Sequence, residues 1–186
     1  MLVRNPKGNY SFLRGIAPYS AGAVADEGYE IVHVRFQQPV RLADGFERVR
    51  EHLAQVSRPA QALCGMELRS PKPFTFQGFN EFNQGYIEVL TKWGVFVDTV
   101  NPVARTNVAP EIGAPVAPSL YGFSYTVPSR TGKKTFVVAG AGELPEGSLD
   151  PHDVVRAGET SADALGEKIR FVMGLMSARL RGLGVA

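Results

Sequence analysis

Strand-like and helical hydrophobic patterns alternate along the chain, and this alternation limits the possible folds more than any other feature. Residues 29–36 alternate with period two, Ile31 opposite Val32 and Val34, which predicts a strand. Further strands are predicted over 61–69, although Gly65 weakens that pattern, over 120–127, which is rich in β-branched and aromatic residues, and over 134–139.

Three helices are predicted between these strands from apolar residues that recur every three or four positions. The first runs from Asp44, which we expect to cap it with Glu47, to about Pro59. The second covers about 75–97, and its aromatic stripe is interpreted as core. The third begins after Ser161 as its cap. Its expected core stripe consists of Leu165, Ile169, Val172, Met173, Met176 and Leu180. The element order predicts an α+β fold with helices on one face of a sheet, and self-association is the usual cover for the other face.

Composition excludes several classes of protein. A length of 186 residues suits one compact unit, and a formal charge of +2 without a basic run argues against nucleic-acid binding. No stretch approaches the roughly 18 apolar residues of a membrane span. Cys64 is the single cysteine, which excludes an internal disulfide and fits a reducing cytoplasm. We therefore expect a cytoplasmic protein that uses neither a membrane nor nucleic acid.

Three other sequence features do not indicate a functional site. The histidines lack metal-ligand spacing, so no metal is expected. Residues 139–142, Ala-Gly-Ala-Gly, differ from a dinucleotide loop because the third glycine is misplaced. Cys64 lies within a strand pattern with no partner base, as inert core cysteines do.

The polar segment Asn101–Asn107 contains the strongest candidate binding residue. Arg105 lies where a helical pattern gives way to a strand-like one, and we expect it on a turn. A guanidinium there can bind one carboxylate through two parallel hydrogen bonds. A surface arginine paired with a neighbouring carboxylate is the alternative.

Three segments together resemble the reactive-intermediate deaminase family, known as RidA or YjgF. Residues 16–20, Ile-Ala-Pro-Tyr-Ser, resemble its opening motif, and 79–86, Phe-Asn-Glu-Phe-Asn-Gln-Gly-Tyr, resemble a family helix. Residues 102–106, Pro-Val-Ala-Arg-Thr, are similar to the turn whose arginine binds the substrate carboxylate. The resemblance implies a RidA-like (chorismate-mutase-like) core over 1–128.

Residues 129–186 depart from ordinary members and look like a second copy of the family's strand, glycine bend and first helix, packed on the same domain. This extended form resembles the 2-aminomuconate and 2-amino-5-chloromuconate deaminases of aromatic degradation. The resemblance thus implies cofactor-free hydrolysis of an enamine or imine acid to a 2-oxo or enol acid and ammonia. It also implies a homotrimer with pockets between subunits.

The resemblance assigns roles to individual residues. Arg105 would hold the substrate carboxylate, while Asn83 or Tyr19 would hydrogen-bond the substrate or the water. Tyr19 could instead be a core-edge residue, and Asn83 could only cap a neighbouring strand. The backbone N–H groups of Gly140 and Ala141 would bind carboxylate oxygens or developing negative charge.

The family's last-strand glutamate is missing, with Phe123 near its place. Glu143 is our candidate for positioning the water, and Glu111 is second, although either could be a solvated surface residue. The missing acid leaves a second hypothesis open, a non-catalytic protein that binds small carboxylates or has a regulatory role. Ribonuclease activity is disfavoured by the near-neutral charge.

Overall fold

The chain folds into two four-stranded sheets and three helices, as a computed structural model that describes residues 2–185 shows. The strands are β1 (Leu2–Asn5), β2 (Tyr10–Leu13), β3 (Gly22–Ala25), β4 (Tyr29–Arg41), β5 (Leu63–Arg69), β6 (Ala104–Val108), β7 (Ser119–Pro128) and β8 (Phe136–Val138). The helices are α1 (Leu42–Gln55), α2 (Phe76–Lys92) and α3 (Ala162–Gly182). Short 3-10 turns cover Ala60–Ala62 and Pro151–Asp153. The predicted α+β class is confirmed.

The first sheet contains the first three strands and the last one, and the second sheet contains the four strands between them. The first has the order β1-β2-β3-β8 and is antiparallel throughout. The second has the order β4-β7-β5-β6, in which only β5 and β6 run parallel. A parallel pair needs a long crossover, and α2 lies within it. Strand β6 is an edge strand, because it is the last in the order of this sheet.

The main core lies between the second sheet and helices α1 and α2. Val49 and Leu53 of α1, Leu90 of α2 and Leu120 and Phe123 of β7 are all buried there. Burial of such side chains contributes roughly 1.5–3 kcal/mol each. Phe123 is 1% exposed, so the place expected for the missing glutamate belongs to this apolar core.

A smaller core joins the two sheets. Tyr10 and Phe12 of β2 pack with Ala23 of β3 and Cys64 of β5, and the Tyr10 hydroxyl donates to the Leu63 carbonyl at 2.7 Å. The first sheet therefore covers part of the second sheet's other face within one chain. A single sheet was expected, and the structure corrects this, because β1, β2, β3 and β8 form a separate sheet.

Strands β1, β2 and β3 were missed by the sequence analysis. Each has only four residues, too short for a periodic pattern to stand out. The turn between β1 and β2 includes Asn9 in the left-handed region, with φ of 59°. Asparagine tolerates that conformation better than most residues, so Asn9 was an available turn signal.

Two predicted details of the helices need correction. Helix α1 begins at Leu42, with Arg41 as the capping residue and no side-chain cap, so Asp44 lies inside the first turn. The Ser161 cap on α3 is confirmed, because its side chain accepts from the Ala164 N–H at 3.2 Å.

The expected core stripe of α3 is wrong for three of its six residues, while Val172, Met176 and Leu180 are half-buried. Leu165, Ile169 and Met173 are 46%, 63% and 58% exposed. The buried residues of this helix are Ala164 and Arg179, with Leu183 as the C-cap residue. The helix therefore packs through a different side from the most hydrophobic one.

Candidate active site

Arg105 lies on strand β6, not on a turn as predicted. Its backbone is paired with Met66 of the parallel strand β5. The turn comes earlier, at Asn101, whose side chain accepts from the Val103 N–H at 3.0 Å and donates to the Pro18 carbonyl at 2.8 Å. The edge strand thus fixes the arginine backbone.

The Arg105 guanidinium is buried and only partly satisfied. The residue is 2% exposed, and Nη2 donates to Asn83 Oδ1 of α2 at 2.7 Å. Nη1 is buried and has no hydrogen-bond partner within residues 2–185. A buried donor without a partner costs about 1–3 kcal/mol, and more when it is charged. The site thus contains a cation that lacks an anion.

Four aromatic rings surround this guanidinium. The distances from its central carbon to the ring centroids are 4.6 Å for Tyr86, 4.8 Å for Tyr19, 5.7 Å for Phe79 and 5.8 Å for Phe82. The rings stabilise the cation through their π faces but cannot accept an in-plane N–H bond. Burial lowers the Arg105 pKa, and the nearby Tyr86 and Tyr19 oppose that shift.

Tyr19 reaches Arg105 because its neighbour Ser20 is bound to the segment that leads into β6. The Ser20 N–H donates to the Val103 carbonyl, and the Ser20 hydroxyl donates to the Pro102 carbonyl, both at 2.9 Å. These bonds bring residues 16–20 beside β6, although more than 80 positions separate the two segments. Burial raises the Tyr19 pKa, and the charges of Arg105 and Arg179 partly offset the shift. The phenol is therefore neutral at pH 7.

A cavity of about 600 Å³ lies beside the caged arginine. Its volume is in the range of small-molecule sites. Tyr19 and Phe79 belong both to the cavity wall and to the aromatic cage, so they lie at the boundary between the cavity and Arg105. Other lining residues come from both parts of the chain, among them Ser70, Lys72, Asn107, Gly140, Ala141, Glu146 and Arg179.

The glycine bend after β8 forms part of this wall through Gly140, Ala141 and Gly142. The Gly140 N–H, however, donates to Thr106 Oγ1 at 2.8 Å, so it already has an acceptor. A Cβ on Gly140 would lie 3.1 Å from Thr106 Cγ2, which explains why a glycine suits this close approach. The neighbouring Ala141 also lines the cavity. The proposed anion-binding roles of both residues stay predictions.

The two acids favoured by the sequence analysis are not among the described lining residues, although Gly142 and Leu144, on either side of Glu143, do line the cavity. Glu143 is not among the described residues that line the cavity, and its backbone carbonyl accepts from the Val155 N–H at 2.9 Å. Glu111 is exposed on the loop before β7 and is likewise outside the lining.

An ion pair on the cavity wall was missed. Arg179 of α3 binds both carboxylate oxygens of Glu146, with Nε–Oε2 of 3.0 Å and Nη2–Oε1 of 2.8 Å. Its Nη1 donates to the carbonyls of Ala139 and Gly140, which ties α3 to the glycine bend. The sequence contained one indication of the position of Arg179. Leu175, Arg179 and Leu183 recur at steps of four, which places them on one side of α3, and this is its buried side.

A metal-binding cluster and a membrane-spanning helix are both absent from the described residues. Among residues 2–185 there is no group of three or more histidine, cysteine, aspartate or glutamate side chains that could hold a metal ion. No helix in that range is both long and apolar enough to cross a membrane.

Comparisons with known proteins agree with the extended form recognised in the sequence. A family model described as 2-aminomuconate deaminase CnbZ matches residues 2–186. A 2-amino-5-chloromuconate deaminase from Comamonas testosteroni is 45% identical over 181 residues, which are 96% of this chain and 72% of that protein. No solved structure matches the chain.

Proposed function

The chain belongs to the 2-aminomuconate deaminase CnbZ family, and from this premise we propose that it hydrolyses 2-aminomuconate or a closely related acid in aromatic degradation. The products are ammonia and the corresponding 2-oxo or enol acid. The substrate class is an unsaturated dicarboxylate whose amino group lies next to one carboxylate.

The observation that carries this proposal is the buried, unpartnered Nη1 of Arg105. A substrate carboxylate would supply the missing acceptor and the missing negative charge together. Charge-assisted hydrogen bonds are about twice as strong as neutral ones, and the dry surroundings strengthen them further. Asn83 holds Nη2 and so orients the fork, which makes it a positioning residue.

Access to Arg105 requires movement of an aromatic side chain. Nη1 is not accessible in this conformation, and Tyr19 and Phe79 lie between the cavity and the guanidinium. We propose that one of these rings turns aside when the carboxylate binds. The Tyr19 hydroxyl can then donate to the substrate, because its raised pKa keeps it protonated.

The hydrolysis requires only a few contributions from the protein. The iminium tautomer of a 2-amino-dienoate is already electrophilic at C2, so attack by water needs a held substrate, a dry site and an oriented water. Arg105 would hold the substrate, and the aromatic rings around it would keep the site dry. The Ala141 N–H, on the cavity wall, is our proposed donor to a carboxylate or developing oxyanion.

Ammonia release from freshly generated 2-aminomuconate tests the proposal. We expect turnover by the wild type and a fall in kcat/KM of about 10²-fold or more for Arg105→Ala, from loss of charged hydrogen bonds. Arg4→Ala is the matched control, because Arg4 is an exposed arginine that pairs with Asp26. Tight binding of 2-oxo acids without turnover would favour the carboxylate-binding alternative. Full activity of Arg105→Ala would remove the proposed role of the arginine.

We also propose that the protein is a cytoplasmic homotrimer. The exposed apolar side of α3, with Leu165, Ile169 and Met173, supports self-association. The buried free thiol of Cys64 is compatible with a reducing compartment.

A further inference from the structure

The acid that activates water has not yet been assigned, and the cavity offers one carboxylate for the task. Glu146 is the sole aspartate or glutamate among the described residues that line the cavity. Its side chain is 41% exposed, so water can reach it. The core position of Phe123 and the placement of Glu143 outside the lining leave this residue as the available acid.

Arg179 holds the Glu146 carboxylate in one orientation while leaving it free to accept more hydrogen bonds. The two bonds of 3.0 and 2.8 Å use one lone pair on each oxygen. Each carboxylate oxygen has a second lone-pair site, and a water can occupy it. Arg179 is itself fixed by its bonds to the Ala139 and Gly140 carbonyls. Through Arg179, helix α3 and the glycine bend therefore fix the position of the Glu146 carboxylate.

Glu146 also lines the cavity into which a substrate bound at Arg105 would extend. Tyr19 caps Arg105 and lines the same cavity as Glu146 and Arg179. The charges of Arg105 and Arg179 lower the Tyr19 pKa and that of Glu146 raises it, so all three charges act on the same hydroxyl. A carboxylate on Arg105 would leave the adjacent C2 carbon facing the cavity.

We propose that Glu146 is the catalytic residue that orients the attacking water and accepts its proton, with Arg179 as its positioning residue. The inference rests on the proposed function. The C-terminal extension would then supply the acid that β7 lacks.

The steps balance without a co-reactant. Water oxygen bonds to C2 of the iminium, the C=N π pair moves to nitrogen, and Glu146 takes one water proton. Glu146 returns that proton to nitrogen, which forms a protonated carbinolamine. The hydroxyl proton then passes to Glu146 as C=O forms, and ammonia leaves with the C–N bonding pair. Transfer of this proton to ammonia gives ammonium and restores the carboxylate.

Glu146→Gln tests the inference, because the amide keeps the shape but cannot take a proton at neutral pH. We expect kcat to fall about 10²- to 10⁴-fold, the usual contribution of a positioned acid or base, with KM changed less than about 3-fold. The inhibition constant of muconate, which lacks the amino group, should also stay within about 3-fold, since Arg105 is intact. Glu88→Gln is the control and should keep wild-type kcat, because Glu88 is exposed on α2 and lies outside the cavity lining.

A second variant separates catalysis from anchoring of the loop. Glu146→Ala removes the pair with Arg179, and added formate should restore part of kcat by placing a carboxylate on Arg179. Near wild-type kcat in Glu146→Gln would overturn the inference and leave the proposed function intact. So would a parallel loss of kcat, muconate affinity and thermal stability, which indicates anchoring alone. A wild-type protein that releases no ammonia would instead overturn the proposed function, and this inference with it.

Discussion

At the scale of single residues, the site depends on a cation that the fold leaves without an anion. Asn83 is nearly isosteric with aspartate, and its Oδ1 lies 2.7 Å from Arg105 Nη2. Asn83→Asp would give the guanidinium a permanent carboxylate and repel the one that the substrate brings. We expect KM for 2-aminomuconate to rise about tenfold or more, with Tm unchanged or higher, because the buried charge becomes paired.

Asn80→Asp is the matched control for this variant, because Asn80 lies on the same helix and is exposed. It should leave KM and Tm close to wild type. An unchanged KM in Asn83→Asp would show that the substrate carboxylate does not bind at Arg105.

Cys64 gives a second prediction at this scale. The thiol is 0% exposed in the core between the sheets, and burial raises its pKa. It therefore stays protonated and enclosed at pH 8, where an exposed thiol would react. Labelling by iodoacetamide should be slow in the native protein and fast after urea unfolding, as measured by mass spectrometry. Complete native labelling at the unfolded rate would contradict the packing of β5 against β2.

At the scale of elements, a side-chain cap stabilises the start of helix α3, and a single substitution can test its contribution. The Ser161 hydroxyl accepts from the Ala164 N–H and begins α3. Ser161→Ala should cost about 1 kcal/mol of unfolding free energy. For a chain of this size that corresponds to a Tm lower by about 2–4 °C in thermal denaturation. Ser148→Ala is a useful comparison, since Ser148 bonds Asp153 in a loop and caps no α-helix.

Local patterns predicted most helices and strands because the side chains that decide each element are close in sequence. Strands β4, β5, β7 and β8 and all three helices coincide with predicted segments to within a few residues at most ends, whereas β6 covers residues that were predicted as a turn. The exceptions have physical causes. Strands β1 to β3 are too short to show a period, and the sequence does not reveal that α3 turns its most apolar side outward.

At the scale of the whole molecule, the outward apolar side of α3 motivates a prediction about assembly. Light scattering should give the mass of a trimer for the wild type. Replacing Ile169 and Met173 by glutamate, at positions 63% and 58% exposed, should lower that mass without unfolding the chain if α3 contributes to the contact. A monomeric wild type would contradict the proposed homotrimer, and an unchanged trimer in the variant would place the contact elsewhere.

The proposed division at residue 128 stays a prediction. Residues on both sides of it share one sheet, because β8 pairs with β3. They also share the cavity, whose wall includes Tyr19 from the first part and Glu146 and Arg179 from the second.

The sequence by itself determined the α+β class and the identity of Arg105, Asn83 and Tyr19 as a related set, because hydrophobic periods and short motifs are local properties. Only the tertiary structure decided that Arg105 is buried beside Asn83 with one nitrogen unpartnered, and that Glu146 and Arg179, rather than Glu143, line the cavity. Burial and pairing depend on segments far apart in the chain, such as Arg179 and Ala139, which are 40 positions apart. No local pattern encodes which of two neighbouring glutamates faces a cavity formed by such distant segments.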